Sequence, residues 1–292
     1  MEIEKSIKVG ILGTGTMGVG ISIAVASSGL NAILKTRQNK AGALDAIQKK
    51  LGKYVEKGEI STEDKNRILQ KIYVTTNMEE LTEAEIVIEA AIEDLVVKRN
   101  VLYEIGKLAS SALVIATTTS SFTISEISSS LYRPDRFIGM HFFNPADKIP
   151  LVEIIRGEHT SNKTQDLALI FAKKLGKEAI LVKDTPGFIV NRLLIPMIND
   201  AATLVMKGIA TPSEIDKAME MGAKHPIGPL ALADFIGIDI CLSIIENFQE
   251  RLGEERYKPC QIFKEMIENG QLGKKTGYGF YSYANQNTGR TQ

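Results

Sequence analysis

The glycine-rich segment GTGTMG, residues 13–18, constrains the fold of this chain more than any other stretch. It follows the apolar run IKVGIL and precedes a predicted helix, which is the order of strand, turn and helix in a βαβ unit. In such a unit the first glycine allows the tight turn, the second lets the backbone approach a pyrophosphate, and the third lets the helix pack closely. A helix that begins near residue 17 directs its amides and positive dipole end at the phosphates. The motif predicts a dinucleotide site formed by Gly13, Gly15, Thr16, Met17 and Gly18.

Short β-rich runs alternate with amphipathic helical stretches over the first 185 residues, which predicts a parallel sheet with crossover helices. The breaker DTPGF, residues 184–188, is followed by sequence with almost no strand character. We therefore expect an α/β fold, with a Rossmann-type domain over 1–185 that carries a helical insert near 40–70. An all-helical domain over 186–292 follows it. The predicted strands are 7–12, 31–35, 72–76, 85–90, 112–117, 136–143, 151–157 and 179–183.

Composition excludes several classes of protein. The 35 basic and 35 acidic side chains balance, so a general nucleic-acid or membrane-surface binder is not expected. No apolar run reaches the ~20 residues that a membrane-spanning helix needs. The two cysteines, Cys241 and Cys260, lack metal-ligand spacing, so we expect no metal site and a reducing cytoplasmic location.

The end of the second predicted strand departs from the usual dinucleotide pattern. An acidic residue is expected there to hold a ribose hydroxyl, but the chain has Thr36 and Arg37. A carboxylate would repel a 2′-phosphate, whereas a guanidinium can pair with it through two hydrogen bonds. The sequence therefore favours NADP, with NAD as the alternative if Arg37 is only a solvated side chain.

The chain has three histidines, and only one lies in an apolar strand end. His159 is in a polar turn, and His225 precedes a proline in a loop where a structural role is expected. His141 lies in GMHFFNP, and Glu153 lies in the apolar run LVEII. If these two strands pair across residues 144–150, positions 141 and 153 face each other. A carboxylate beside an imidazole makes a competent general base, although a structural hydrogen bond inside a core hairpin would have the same spacing.

Further motifs point to one family. The segments GTGTMGVGI, TTTSSFTISEI, GMHFFNPADKIPLVEIIRG, DTPGFIVNRLL, GAKHPIGPLALADFIGID and GKKTGYGFYSY together resemble the short-chain 3-hydroxyacyl-CoA dehydrogenases, especially the bacterial 3-hydroxybutyryl-CoA dehydrogenases. The resemblance runs nearly from end to end. It implies that His141 is the base and that Glu153 is its orienting partner. It implies that Ser120 and Asn191 contact the reacting oxygen. The cofactor contacts that it implies are Glu93 and Lys98, and the further substrate contacts are Asn144, Lys50 and Lys57.

The family's helix-turn-helix insert holds the nucleotide end of coenzyme A, and Lys50, Lys53 and Lys57 are spaced to share one face of the predicted helix. A solvated lysine face would have the same spacing. The resemblance also implies a homodimer through the second domain. The apolar run 231–245 fits burial between subunits, but burial in an intramolecular core would give the same sequence pattern.

The expected activity is reversible hydride transfer between the 3-hydroxyl or 3-keto group of a short acyl-CoA and NADP(H). Thr118 stands where the family usually has Asn, and threonine lacks an amide's donor and acceptor geometry. The alternative is therefore the same chemistry on a substrate bound to acyl carrier protein, as in polyketide-type pathways. A non-catalytic relative such as a lens crystallin is disfavoured because the four catalytic candidates are present. A dehydrogenase with a catalytic lysine is disfavoured because the His/Glu pair is present.

Overall fold

The computed structural model describes residues 7–109, 111–129 and 131–283. The chain divides into two compact units between Phe188 and Ile189. The first unit contains all eight strands that the structure names, and the second is helical. The predicted fold class is therefore confirmed.

The first unit is built on one eight-stranded sheet with the order β3-β2-β1-β4-β5-β6-β7-β8. The first six strands are parallel, β6 and β7 are antiparallel, and β7 and β8 are parallel to each other. Strand bounds are β1 Lys8–Leu12, β2 Asn31–Lys35, β3 Ile72–Thr75, β4 Ile86–Glu89, β5 Val114–Thr117, β6 Phe137–Phe142, β7 Leu151–Arg156 and β8 Glu178–Lys183.

Helices cover both faces of this sheet, so its central strands are apolar along their length rather than alternating. One face carries α1 Thr16–Ser27, α2 Lys40–Glu56, α3 Thr62–Gln70 and α6 Asn162–Lys174, which share one apolar core. The other face carries α4 Leu95–Leu108 and α5 Ile124–Ser128, which pack in a second core. Helices α2 and α3 form the predicted insert between β2 and β3.

Over its described residues, 189–283, the second unit packs five α-helices around its own core. They are α7 Val190–Met206, α8 Pro212–Gly222, α9 Pro229–Ile236, α10 Ile238–Leu252 and α11 Gln261–Glu268. Helix α8 begins after Thr211, which caps it and forms a capping box with Glu214. In the apolar run 231–245, Ala233, Ile238 and Cys241 are buried in this core.

A buried carboxylate fixes the last described segment of the second unit. Asp234 accepts hydrogen bonds from the backbone amides of Phe280 and Tyr281, at 2.8 and 2.9 Å, and from the Tyr283 hydroxyl at 3.1 Å. Burial raises the pKa of Asp234, and these hydrogen bonds counteract part of that rise.

Candidate active site

Two of the three motif glycines are required by the protein itself. Gly13 has a φ of +106°, and a Cβ there would lie 2.2 Å from the carbonyl oxygen of Ala90. A Cβ on Gly18 would lie 1.8 Å from the carbonyl oxygen of Gly13. The turn and the close packing of α1 on β1 therefore exclude any side chain at either position.

Gly15 is different, because its surroundings are open. Its φ of −69° suits any residue, and apart from Gly15 and its two chain neighbours no described residue has an atom within 4 Å of the position that a Cβ would occupy. Gly15 is the N-cap of α1, and no described side chain caps this helix end. Amides at such an end bind anions well. The missing side chain and the missing cap both leave room for a phosphate group.

This helix end opens into a cavity of about 890 Å³ in the first unit. The cavity wall contains the whole turn from Gly13 to Met17, the ends of β1, β2 and β4, and part of α4. Its volume and its glycine-lined end fit a nicotinamide dinucleotide. The wall also includes four of the sequence-predicted contact residues beyond the turn: Thr36, Arg37, Glu93 and Ser120.

The end of β2 is basic where it borders the cavity. Thr36 is buried, and its hydroxyl lies 3.5 Å from that of Thr14. Arg37 is exposed, and Lys35 joins it on the cavity wall. Lys35 was not singled out from the sequence, although it lies one residue before the position of the expected carboxylate.

Glu93 and Lys98, both expected near the cofactor, occupy different positions. Glu93 lines the cavity, whereas Lys98 is absent from the described wall and its side chain is fully buried. The Lys98 ammonium lies 2.9 Å from Oε1 of Glu89 and 3.1 Å from Oε2 of Glu93. Burial acts to raise the pKa of Glu93, but the Lys98 charge and several hydrogen bonds outweigh it and lower that pKa below its usual value. Glu93 is thus an anion on the cavity wall, and the buried Lys98 ammonium stabilises its charge.

His141 and Glu153 face each other across β6 and β7. The two strands pair in antiparallel register with residue 141 opposite residue 153, so the predicted pairing is confirmed. Nδ1 of His141 lies 2.7 Å from Oε2 of Glu153, and both side chains are more than nine-tenths buried. An ionised carboxylate only accepts hydrogen bonds, so Nδ1 donates and Nε2 of the neutral ring is the free acceptor.

Two aromatic rings enclose the imidazole. Phe143 makes an edge contact with a centroid distance of 4.6 Å, and the ring of Phe188 lies 5.4 Å away. Phe188 has a φ of +52°, an uncommon value for a residue with a side chain. The two apolar rings limit the rotation of the His141 side chain.

The carboxyl ends of the parallel strands place the cavity residues and His141 at one edge of the sheet. Leu12, Lys35, Glu89 and Thr117 lie in line across β1, β2, β4 and β5, and Thr117 pairs with Gly139 of β6. His141 lies two residues beyond Gly139, so it extends past this line at the carboxyl ends of the parallel strands. Ligands of open α/β sheets bind at this edge.

The turn between β6 and β7 is attached to helix α2. The Asp147 carboxylate accepts hydrogen bonds from the Lys50 ammonium and from the Tyr54 hydroxyl, each at 2.6 Å. Lys148 lies 4.0 Å from the centre of the Tyr54 ring and 2.6 Å from Oε2 of Glu59. Asp147 and Tyr54 were not predicted as partners, because a contact between a strand turn and a distant helix leaves no periodic signal in the sequence.

The other predicted residues are more dispersed. Asn144 is exposed at the start of this turn and precedes a cis Asn144–Pro145 bond. Lys57 is exposed and caps the end of α2, whereas Lys50 is turned inward to Asp147. Asn191 is the second residue of α7, in the second unit.

Comparison with known proteins identifies the family. The sequence profile of the 3-hydroxyacyl-CoA dehydrogenase NAD-binding domain matches residues 8–185, and that of the 3-hydroxyacyl-CoA dehydrogenase C-terminal domain matches residues 187–283. The chain belongs to the 3-hydroxyacyl-CoA dehydrogenase family. The resemblance seen in the sequence motifs is therefore confirmed, and the chain is an oxidoreductase with a nicotinamide dinucleotide site.

Relatives agree over nearly the full length. The chain is 42% identical over 280 residues to a 3-hydroxybutyryl-CoA dehydrogenase of Clostridioides difficile, covering 94% of this chain and 99% of that one. The crystal structure of (S)-3-hydroxybutyryl-CoA dehydrogenase from Ralstonia eutropha superimposes with a TM-score of 0.90 at 42% identity, covering 95% and 99% of the two chains. FadB2 of Mycobacterium tuberculosis superimposes with a TM-score of 0.92 at 36% identity, covering 96% and 100%.

Two further features are absent from the described part of the chain. No helix there is long and apolar enough to cross a membrane. No cluster of three or more histidine, cysteine or acidic side chains suited to a metal ion occurs among the described residues.

The open space at Gly15 leads to a prediction. We expect Gly15→Ala to weaken NADPH binding at least about tenfold, or ~1.4 kcal/mol, because the methyl group would stand where the phosphate approaches. We expect it to change the free energy of unfolding by no more than ~1 kcal/mol, since no described atom is displaced. NADPH fluorescence titration and urea unfolding measure the two quantities.

Gly52→Ala on α2 is the matched control, because its Cβ would meet only the end of the Lys65 side chain, 3.9 Å away. We expect it to leave NADPH binding unchanged. Unaltered NADPH affinity in Gly15→Ala would contradict the assignment of the phosphate position.

Proposed function

We propose that this enzyme is an NADP-preferring 3-hydroxyacyl-CoA dehydrogenase of short chain length that interconverts acetoacetyl-CoA and (S)-3-hydroxybutyryl-CoA. The observation that carries the proposal is the buried His141–Glu153 pair at the same sheet edge as the dinucleotide cavity. Relatives of matching length and fold that carry the name 3-hydroxybutyryl-CoA dehydrogenase support the choice of substrate.

His141 acts as the general base in the oxidation of the alcohol. Its Nε2 accepts the proton of the 3-hydroxyl group, while Glu153 holds Nδ1–H and stabilises the imidazolium that forms. In the reverse direction the imidazolium returns this proton to the ketone oxygen. The nicotinamide, when bound, accepts or supplies the hydride.

Hydrogen-bond donors stabilise the charge that develops on the reacting oxygen. Ser120 is proposed for this role because it lies on the cavity wall directly after β5. Asn191 is proposed for the same role on the sequence resemblance alone. Removing one such donor typically slows a reaction by about a hundredfold or more.

The preference for NADP is supported by the charge at the end of β2. Lys35 and Arg37 line the cavity there, and Thr36 places no carboxylate against a 2′-phosphate. Among the described wall residues the one carboxylate is that of Glu93, at the ends of β4 and β5 rather than at β2.

The nucleotide end of the thioester is proposed to bind on the insert helix α2. Lys57 and Lys53 are exposed there and free to approach phosphates. Lys50 is paired with Asp147, so any phosphate contact from Lys50 would have to share or break that ion pair. A phosphopantetheine thioester on a carrier protein presents the same reactive group, and the assay below separates the two carriers.

The enzyme is also proposed to be a homodimer through its second unit. The run 231–245 contributes most of its apolar side chains to the core of that unit, but Phe235 and Ile240 are 53% and 43% exposed. Sedimentation equilibrium is expected to give about twice the mass of the 32.0 kDa chain. The mass of a single chain would refute the dimer.

The role of His141 can be tested directly. We expect His141→Ala to lower kcat for acetoacetyl-CoA reduction by about 10²–10⁴, because the proton donor is lost. The Kd for NADPH should change by less than about twofold, or ~0.4 kcal/mol. His159→Ala, which removes an exposed imidazole, is the control and should behave as the unmodified enzyme. Full activity of His141→Ala would rule out the assigned acid–base group.

Cofactor preference and carrier are tested in one assay. With acetoacetyl-CoA, NADPH is expected to give a kcat/KM about ten- to hundredfold above that of NADH, because a charged hydrogen bond contributes ~1.5–3 kcal/mol. The same acyl group on a carrier protein is expected to react more slowly. Equal efficiency with both cofactors, or a faster reaction on the carrier, would contradict the respective part of the proposal.

Variants at the end of β2 locate this preference. Arg37→Ala should remove most of the NADPH advantage, and Thr36→Asp with Arg37→Ala should reverse it in favour of NADH. Arg67→Ala on α3 is the control, since its exposed guanidinium pairs with Asp64 and is absent from the described cavity wall.

A further inference from the structure

The hydroxyl-rich segment after β5 has two distinct sets of side chains. Thr118 and Ser120 line the cavity. Thr117 and Thr119 are buried at 0% and 1% exposure, and their hydroxyls donate to the carboxylates of Glu89 and Glu93, respectively. The segment is therefore anchored by alternate residues, and the residues between them face the ligand site.

Glu93 anchors this segment through backbone amides as well. Its Oε1 accepts from the N–H groups of Ser120 and Ser121, each at 3.0 Å, in addition to the Thr119 hydroxyl. The position of the Ser120 backbone thus depends on the position of one carboxylate oxygen. The hydrogen bond from the amide of Phe122 to the Thr119 hydroxyl, at 3.2 Å, extends the same attachment by another residue.

The other oxygen of Glu93 is fixed by a buried ion pair. Lys98 holds Oε2 of Glu93 at 3.1 Å and both oxygens of Glu89 at 2.9 and 3.1 Å. Glu89 is itself fixed by the amide of Ala91 at 2.6 Å and by the Thr117 hydroxyl at 2.6 Å. A fully buried ammonium that loses a partner is strongly destabilised, so Lys98 holds the two carboxylates at a set separation.

We propose that Glu93 is a positioning residue for Ser120, and that Lys98 and Glu89 hold Glu93 in the orientation that this requires. The inference rests on the proposed function, because it concerns how Ser120 is presented to the reacting oxygen. It goes beyond a cofactor contact: the carboxylate on the cavity wall sets the place of the hydroxyl that acts on the substrate.

A cofactor contact and a positioning role have different kinetic signatures. Loss of a cofactor contact raises the KM for NADPH, and its effect on the rate adds to the effect of Ser120→Ala. Loss of positioning lowers kcat at saturating NADPH and thioester, and it has little further effect once the Ser120 hydroxyl is gone. A double-mutant cycle between the two residues separates these cases.

The experiment compares Glu93→Ala, Ser120→Ala and the double variant in acetoacetyl-CoA reduction. We expect Glu93→Ala to lower kcat at least about tenfold in the unmodified enzyme but less than about threefold in the Ser120→Ala background. Glu93→Gln keeps an oxygen acceptor and loses the ion pair, so it should fall between Glu93→Ala and the unmodified enzyme. If Glu93→Ala does not fold, the cycle with Glu93→Gln gives the same test. Additive losses in the cycle would overturn the proposal.

Hydrogen exchange supplies a readout that needs no turnover. Glu93→Ala should raise amide exchange of a peptide spanning 117–123 at least about tenfold, because the acceptor of the Ser120 and Ser121 amides is removed. Glu104→Ala, which removes an exposed carboxylate from helix α4 just after Glu93 in the chain, is the control and should change neither exchange nor kcat. Unchanged exchange in Glu93→Ala would overturn the proposal even if the enzyme proved to act on another substrate. If the unmodified enzyme fails to reduce acetoacetyl-CoA while Glu93→Ala raises exchange as expected, the result would instead count against the proposed function.

Discussion

The hydrogen bond between His141 and Glu153 depends on one reversal of strand direction in an otherwise regular sheet. Up to β6 the strands are parallel and their carboxyl ends share one edge. Because β7 runs back along β6, a residue near the start of β7 faces a residue near the end of β6. The reversal thus places a carboxylate from a strand interior against an imidazole at the ligand edge.

Buried charge is concentrated at this edge of the first unit. Glu89, Lys98 and Glu153 have side chains no more than 1% exposed, and each is paired. Removing such groups from water costs several kcal/mol per ion, and apolar replacements of whole buried pairs are often neutral or stabilising. Stability therefore does not account for these residues. Their common feature is that each contacts an ionisable group at this edge: Lys98 pairs with Glu93 and is held by Glu89, and Glu153 is hydrogen-bonded to His141.

Much of the fold could be predicted from the sequence because its signals are local. All eight strands were expected within two residues of their observed ends, since each is a short β-rich run bounded by turn residues. The register of 141 and 153 followed from symmetry about position 147. The partners of Lys50 and Lys98 could not be found in this way, because their carboxylates lie 97 and 9 residues away with no periodicity that links them. The helical spacing of Lys50 and Lys57 indicated a shared face, but it carried no sign that Asp147 would engage one of them. Nothing in the structure explains why residue 118 is Thr rather than the family's usual Asn.

The residues proposed to contact the cofactor differ in whether the fold itself requires them. Gly13 and Gly18 are fixed by collisions within the chain, so their presence shows only that the turn is formed. Packing against the described residues does not require a glycine at position 15. Arg37 is exposed at the end of β2, so packing does not require its side chain either. Under the proposed function a bound dinucleotide explains both residues, and the two positions contact different parts of it. Gly15 and the uncapped end of α1 account for a pyrophosphate, which NAD and NADP share. Under the proposed function, Arg37 and Lys35, beside a threonine in place of a carboxylate, would pair with the further negative charge that only NADP carries. The case for NADP therefore depends on side chains that the fold itself does not need.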